Sequence, residues 1–120
     1  MEKRFAIKLV AACAVLAAAG GSFAQNTIKI ANVVELSGAG ATAGTNFKNG
    51  VELAVKEINA AGGILGKKIE TITNDTQTNP GVAKGLTQKM IDQDVFAIFG
   101  PVFSGSIMVS MAESRRAEFP

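Results

Sequence analysis

The 120-residue sequence contains no histidine, tryptophan or tyrosine, and its single cysteine is Cys13. Without histidine there is no Ser-His or Cys-His pair for nucleophilic catalysis, and the side chain that most often ligates metals is missing. The carboxylates are spread along expected helix surfaces rather than paired at strand ends, so no catalytic constellation, metal site or cofactor is expected. An excess of one charge is also lacking, with 12 Lys and Arg against 10 Asp and Glu.

Three of those basic residues lie at the start. The chain opens Met1-Glu2-Lys3-Arg4, and after Lys8 an uncharged, mostly apolar run extends from Leu9 to Ala24. A basic start, an apolar run and the small residues of Ser22-Phe23-Ala24 are the marks of a signal peptide, with cleavage expected after Ala24. A retained membrane anchor needs about 20 apolar residues; this run is shorter, rich in alanine, and ends in Gly20-Gly21-Ser22. Cys13 sits inside it with apolar sequence continuing beyond, which argues against a lipid-modified cysteine. Removing residues 1–24 takes away three basic residues, one acidic residue and the cysteine, leaving nine of each charge. The expected mature chain is therefore neutral and free of thiols, with nothing that points to nucleic acid or an anionic membrane. It closes on Ala117-Glu118-Phe119-Pro120, where another strand would be expected, and so reads as a fragment of a longer protein.

Residues 28–34, Ile-Lys-Ile-Ala-Asn-Val-Val, read as a strand buried on both faces at one end. A loop of small residues, 36–44, follows. Phe47, Val51, Ala54, Val55 and Ile58 then recur at helical spacing, and the helix is expected to end at Asn59-Ala60-Ala61-Gly62-Gly63. Alternation over Lys67–Asp75 predicts a second strand. Asn79-Pro80 predicts a helix start, because asparagine can cap free amides and proline at the first turn loses no hydrogen bond. Val82, Leu86 and Met90 form the expected inner stripe of that helix, with Ala83 and Ile91 beside it. The apolar run Val95–Phe99 predicts a central strand, and Ser104-Gly105-Ser106 opens a third helix with Ile107, Met108, Met111 and Ala112 expected to face inward. Phe96, Phe99 and the methionines are expected in the core. The order β-α-β-α-β-α implies an α/β fold, a parallel sheet with helices on both faces. Ligands in such sheets sit beyond the carboxyl ends of the strands, here the loops 36–44, 75–79 and 100–106.

Among these loops, Gly100-Pro101-Val102-Phe103-Ser104-Gly105-Ser106 carries the strongest chemistry. Unpaired amides at a helix start hold partial positive charge, and the hydroxyls of Ser104 and Ser106 can add donors, which together suit a carboxylate. The competing reading is that one serine merely caps the helix. In the loop from Ser37 to Gly44, small side chains would let backbone approach a ligand closely. Gly38, Gly40 and Gly44 also approximate a dinucleotide fingerprint with the last glycine one residue late, and Asp75 would supply its acidic partner; a nicotinamide enzyme fits poorly with a secretion signal. Asn74-Asp75-Thr76 reads as turn chemistry, the carboxylate bonding nearby amides. Arg115 and Arg116 complement a helix C-terminus or face solvent.

Taken together, Ile28-Lys29-Ile30 through Leu36-Ser37-Gly38, Asn49-Gly50-Val51-Glu52-Leu53-Ala54, Glu57-Ile58-Asn59-Ala60-Ala61-Gly62-Gly63-Ile64-Leu65-Gly66, Asn74-Asp75, and Phe99-Gly100 before Ser104 resemble the leucine/isoleucine/valine-binding class of periplasmic solute-binding proteins. That resemblance implies a bilobal type I periplasmic binding protein, closing on a small ligand and delivering it to an ABC-transporter permease in the inner membrane. Residues 25–120 would be the first half of its first lobe, in a protein that is periplasmic and monomeric when full length. The serine that begins the third helix, here Ser104, would hold the ligand carboxylate with the amides of Gly105 and Ser106. Ser37, Ala43 and Phe103 would complete the mouth. Ala43 stands where leucine-binding members carry an aromatic residue, and Phe103 replaces a smaller one, so the side-chain pocket is expected to differ. The resemblance leaves open a sensory receptor domain of the same fold, which would continue into a transmembrane helix.

Overall fold

The computed structural model describes residues 27–120, and the segment read as a leader, Cys13 included, lies outside the described residues. Strand β1 (Ile28–Val34) leads through a 3-10 turn at Gly38–Gly40 into helix α1 (Ala41–Ala60). Strand β2 (Ile69–Asp75), helix α2 (Pro80–Asp92), strand β3 (Ala97–Phe99) and helix α3 (Ser104–Arg116) follow. The three strands form one parallel sheet in the order β2-β1-β3. Each crossover is a helix, as parallel pairing requires.

Alternation along β1 decides which side chains meet which helix. Ala31 and Val33 are buried against Met90 and Val95, with Ile72, Leu86 and Ile98 packed around them, so α2 covers this face. On the opposite face Ile28, Ile30, Ile69, Ala97 and Phe99 lie across an apolar cavity from Val51, Ala54, Val55 and Ile58 of α1. Four of the five residues of the helical stripe foreseen for α1 thus face the sheet, whereas Phe47 is exposed.

The turn after α1 explains the glycine-rich motif. The Asn59 side chain clips the start of β2 by donating from Nδ2 to the Ile69 carbonyl (2.9 Å) while Oδ1 accepts from the Ile69 amide (2.7 Å). Gly63 N–H closes the helix on the Ile58 carbonyl at 2.8 Å. It has φ +80°, and a Cβ there would lie 2.0 Å from the Lys67 carbonyl oxygen, so no other residue fits the crossing.

Four expectations need correction. Helix α1 begins at Ala41, inside the stretch read as a loop, because small residues fit a 3-10 turn running directly into the helix. Strand β3 spans three residues rather than five and, among the described residues, pairs only with β1; Phe96 remains 71% exposed, and Phe99 is exposed as well. Of the methionines in the described helices, Met90 is buried, whereas Met108 (74% exposed) and Met111 point away from the core. The buried face of α3 is instead Ser106, Ser110 and Glu113. Small hydroxyl residues allow α3 to lie close to α2, where Thr87 Oγ1 donates to the Ala83 carbonyl or to Ser110 Oγ, each at 2.9 Å. Buried Glu113 is matched by Lys84 (3.4 Å) and by Arg116, so Arg116 has a specific partner besides the helix end.

Candidate ligand-binding site

The carboxyl ends of all three strands converge because the register pairs Val34 with Asp75 and Asn32 with Phe99. The loops that leave these ends are tied to one another by side chains. Asp75, the last residue of β2, accepts from the amides of Leu36 (2.8 Å), Ser37 (3.1 Å) and Gln77 (2.8 Å), and from the Ser37 hydroxyl (2.6 Å). Burial opposes its ionisation, but the Ser37 hydroxyl and the amides of Gln77, Leu36 and Ser37 outweigh that and hold its carboxyl below the ordinary value. The turn chemistry expected for Asp75 is therefore present, with the loop after β1 as its main partner. Thr78 adds a second tie, its Oγ1 donating to the Ser37 carbonyl (2.7 Å) and accepting from the Gly40 amide (3.0 Å).

Sequence reasoning missed the central residue of this edge. Glu35 is fully buried, and its two carboxylate oxygens accept separately from the amides of Val102 (3.0 Å) and Phe103 (3.4 Å), just ahead of α3. The signal available was that Glu35 directly continues a strand buried on both faces from Ile30 to Val34. Helix α1 packs so closely here that a Cβ on Gly44 would lie 1.9 Å from the Glu35 carbonyl oxygen. At Gly40, a Cβ would come 2.8 Å from the Glu35 Cβ and 2.9 Å from Cε2 of Phe103. The Phe103 ring consequently rests on the turn after β1 and joins the first loop to the third.

No side chain caps α3; Phe103 occupies the N-cap position with extended backbone, so Ser104 and Ser106 do not serve as the cap considered from sequence. In contrast, Asn79 caps α2 as expected, accepting from Gly81 (2.8 Å) and Val82 (3.3 Å). Ser104 and Gly105 are exposed at the head of α3, whereas Ser106 is only 2% exposed and turned into the fold. Ser37 is exposed with its hydroxyl engaged by Asp75, and Ala43 is exposed in the first turn of α1. The chemical capacity of this edge is that of an uncapped helix start beside a hydroxyl, able to bind a small anion.

The sequence profile of the periplasmic binding protein family matches residues 27–117. The chain belongs to this family. It is 35% identical over 121 aligned residues to the Leu/Ile/Val-binding protein homolog 7 of Brucella melitensis, covering all of this chain and 29% of that protein. Against the leucine-specific-binding protein of Salmonella typhimurium the identity is 34%, covering 87% of this chain and 28% of the relative. Among solved structures, the branched-chain amino acid transporter substrate binding protein of Streptococcus pneumoniae, in complex with isoleucine, superposes with a TM-score of 0.76. Its identity is 40%, over 79% of this chain and 28% of that one. A periplasmic binding protein type 1 from Bordetella pertussis gives a TM-score of 0.73 at 36% identity, over 79% of this chain and 26% of that one. The chain thus spans less than a third of the length of these relatives, and the α/β fold with a parallel sheet is the type I periplasmic binding protein fold. Among the described residues no helix is long and apolar enough to cross a membrane.

Proposed function

We propose that this chain forms part of an extracytoplasmic solute-binding protein that captures a branched-chain amino acid or a related small carboxylate or amide for uptake by an ABC-transporter permease. The observation that carries the reading is the uncapped start of α3, with Ser104 exposed beside it. A ligand carboxylate placed there accepts from the Ser104 hydroxyl and from first-turn amides that have no intrahelical partner. Gly105 and the backbone of Ser106 are the amide donors in this reading. Phe103 and Ser37 fix the two loops on either side, and Ala43 borders the ligand side chain from α1. Relatives named for leucine, isoleucine and valine binding, and a structural neighbour holding isoleucine, support the choice of solute class.

In the same reading residues 1–24 are a cleaved signal peptide, residues 25–120 are the N-terminal part of the first lobe, and the protein is a periplasmic monomer that binds rather than transforms its solute. The full-length protein encoded by the native gene is to be titrated calorimetrically with branched-chain amino acids and with nicotinamide dinucleotide. Amino-acid binding is expected, and Ser104→Ala should weaken it by about 1.5–3 kcal/mol, the value of a hydrogen bond to a charged group. Tight dinucleotide binding with no response to amino acids would replace this function with an enzymatic one.

A further inference from the structure

Resting on the proposed function, we infer that Glu35 is a specificity-determining residue that makes the mouth select ligands by charge, admitting a zwitterion in preference to a simple anion. Three observations carry this. Glu35 is fully buried, and the structure gives its carboxylate no cationic partner among the described residues; its bonds go to the amides of Val102 and Phe103. These amides lie immediately before Ser104, where α3 begins, so a fixed negative charge stands beneath the place where a ligand carboxylate is to bind. Close packing keeps it there, because the turn at Gly40 lies against its Cβ and Cγ while Gly44 packs on its backbone.

The electrostatic consequence is direct. A helix start alone attracts any anion, through a partial charge of about half a proton. A carboxylate bonded to neighbouring amides opposes that attraction, and in a partly buried site the opposition is not screened away by salt. A ligand with a single negative charge meets both effects. An α-amino acid brings its own ammonium group, which is attracted by the same carboxylate that repels the acid end. Glu35 therefore separates amino acids from carboxylic acids of equal shape without touching either.

The test uses the full-length protein and two ligands of matched side chain, leucine and 4-methylpentanoate, with calorimetric affinities for wild type, Glu35→Gln and Glu35→Asp. Thermal unfolding of each variant accompanies the titrations. Glu35→Gln removes the charge and should shift the leucine-to-methylpentanoate affinity ratio toward the anion by about tenfold, the scale of one nearby charge at intermediate dielectric. Glu35→Asp keeps the charge and should keep the ratio, even where the shorter side chain lowers both affinities and the melting temperature. Equal ratios in Glu35→Gln and wild type, or equal shifts in both variants, would make Glu35 a structural strut and overturn the inference. If wild type binds neither ligand, it is the proposed function that fails.

Discussion

Replacing Asp75 by alanine removes the one carboxylate that joins β2 to the loop after β1. Four bonds are lost together, from the amides of Leu36, Ser37 and Gln77 and from the Ser37 hydroxyl. A hydrogen bond to a charged group contributes about 1.5–3 kcal/mol when well buried, but Ser37 and Gln77 are exposed and water can replace the carboxylate there. Only the Leu36 amide is part-buried. Its full loss plus a small fraction of the other three gives about 2–4 kcal/mol of destabilisation. Asparagine in the same place retains a carbonyl oxygen for the amides while losing the charge, and should cost about half as much. Urea unfolding of the full-length protein and both variants, at neutral pH and unchanged m-value, measures this directly. A loss below about 0.5 kcal/mol for Asp75→Ala would refute the reasoning, since it would mean that these bonds are worth no more than their replacements by water.

Other consequences follow from neighbouring residues. Asn79→Ala removes the cap of α2 and should lower stability by about 1 kcal/mol, seen as a drop in melting temperature. Gly44→Ala forces a methyl group against the Glu35 carbonyl, so a loss of several kcal/mol or insoluble protein is expected, with soluble expression and thermal unfolding as the readout. Because Asp75 has a lowered pKa in the folded state, its stabilisation is complete above the ordinary carboxylate value of about 3.9 and disappears as pH falls through the lower folded value. Unfolding free energies between pH 5 and pH 2 should therefore fall less steeply for Asp75→Asn than for wild type.

Features governed by local rules were legible in the sequence. The stripe of Val51, Ala54, Val55 and Ile58 placed the inner face of α1, and Asn79-Pro80 marked the start of α2, because helical period and capping depend on near neighbours. Features governed by partners far along the chain were not. The inward face of α3 was misplaced because Met108 and Met111 are more apolar than Ser106 and Ser110, yet close approach to Thr87 favours small residues there. Apolar composition likewise predicted a buried β3, but Phe96 and Phe99 remain exposed at the rim of the apolar cavity under α1. Glu35 escaped notice since an acidic residue after a strand ordinarily faces water, and its amide partners lie 67 and 68 residues away. Of the residues assigned to the mouth, Ser104 and Gly105 stand exposed at the uncapped helix start, whereas Ser106 can contribute through its backbone because its side chain is buried.

The most direct measurement is a crystal structure of the full-length protein grown with leucine or isoleucine. The account predicts the ligand carboxylate within about 3 Å of Ser104 Oγ and of an amide at Gly105 or Ser106. Density for the amino acid with its carboxylate held elsewhere, and water or a side chain at the start of α3, would contradict it.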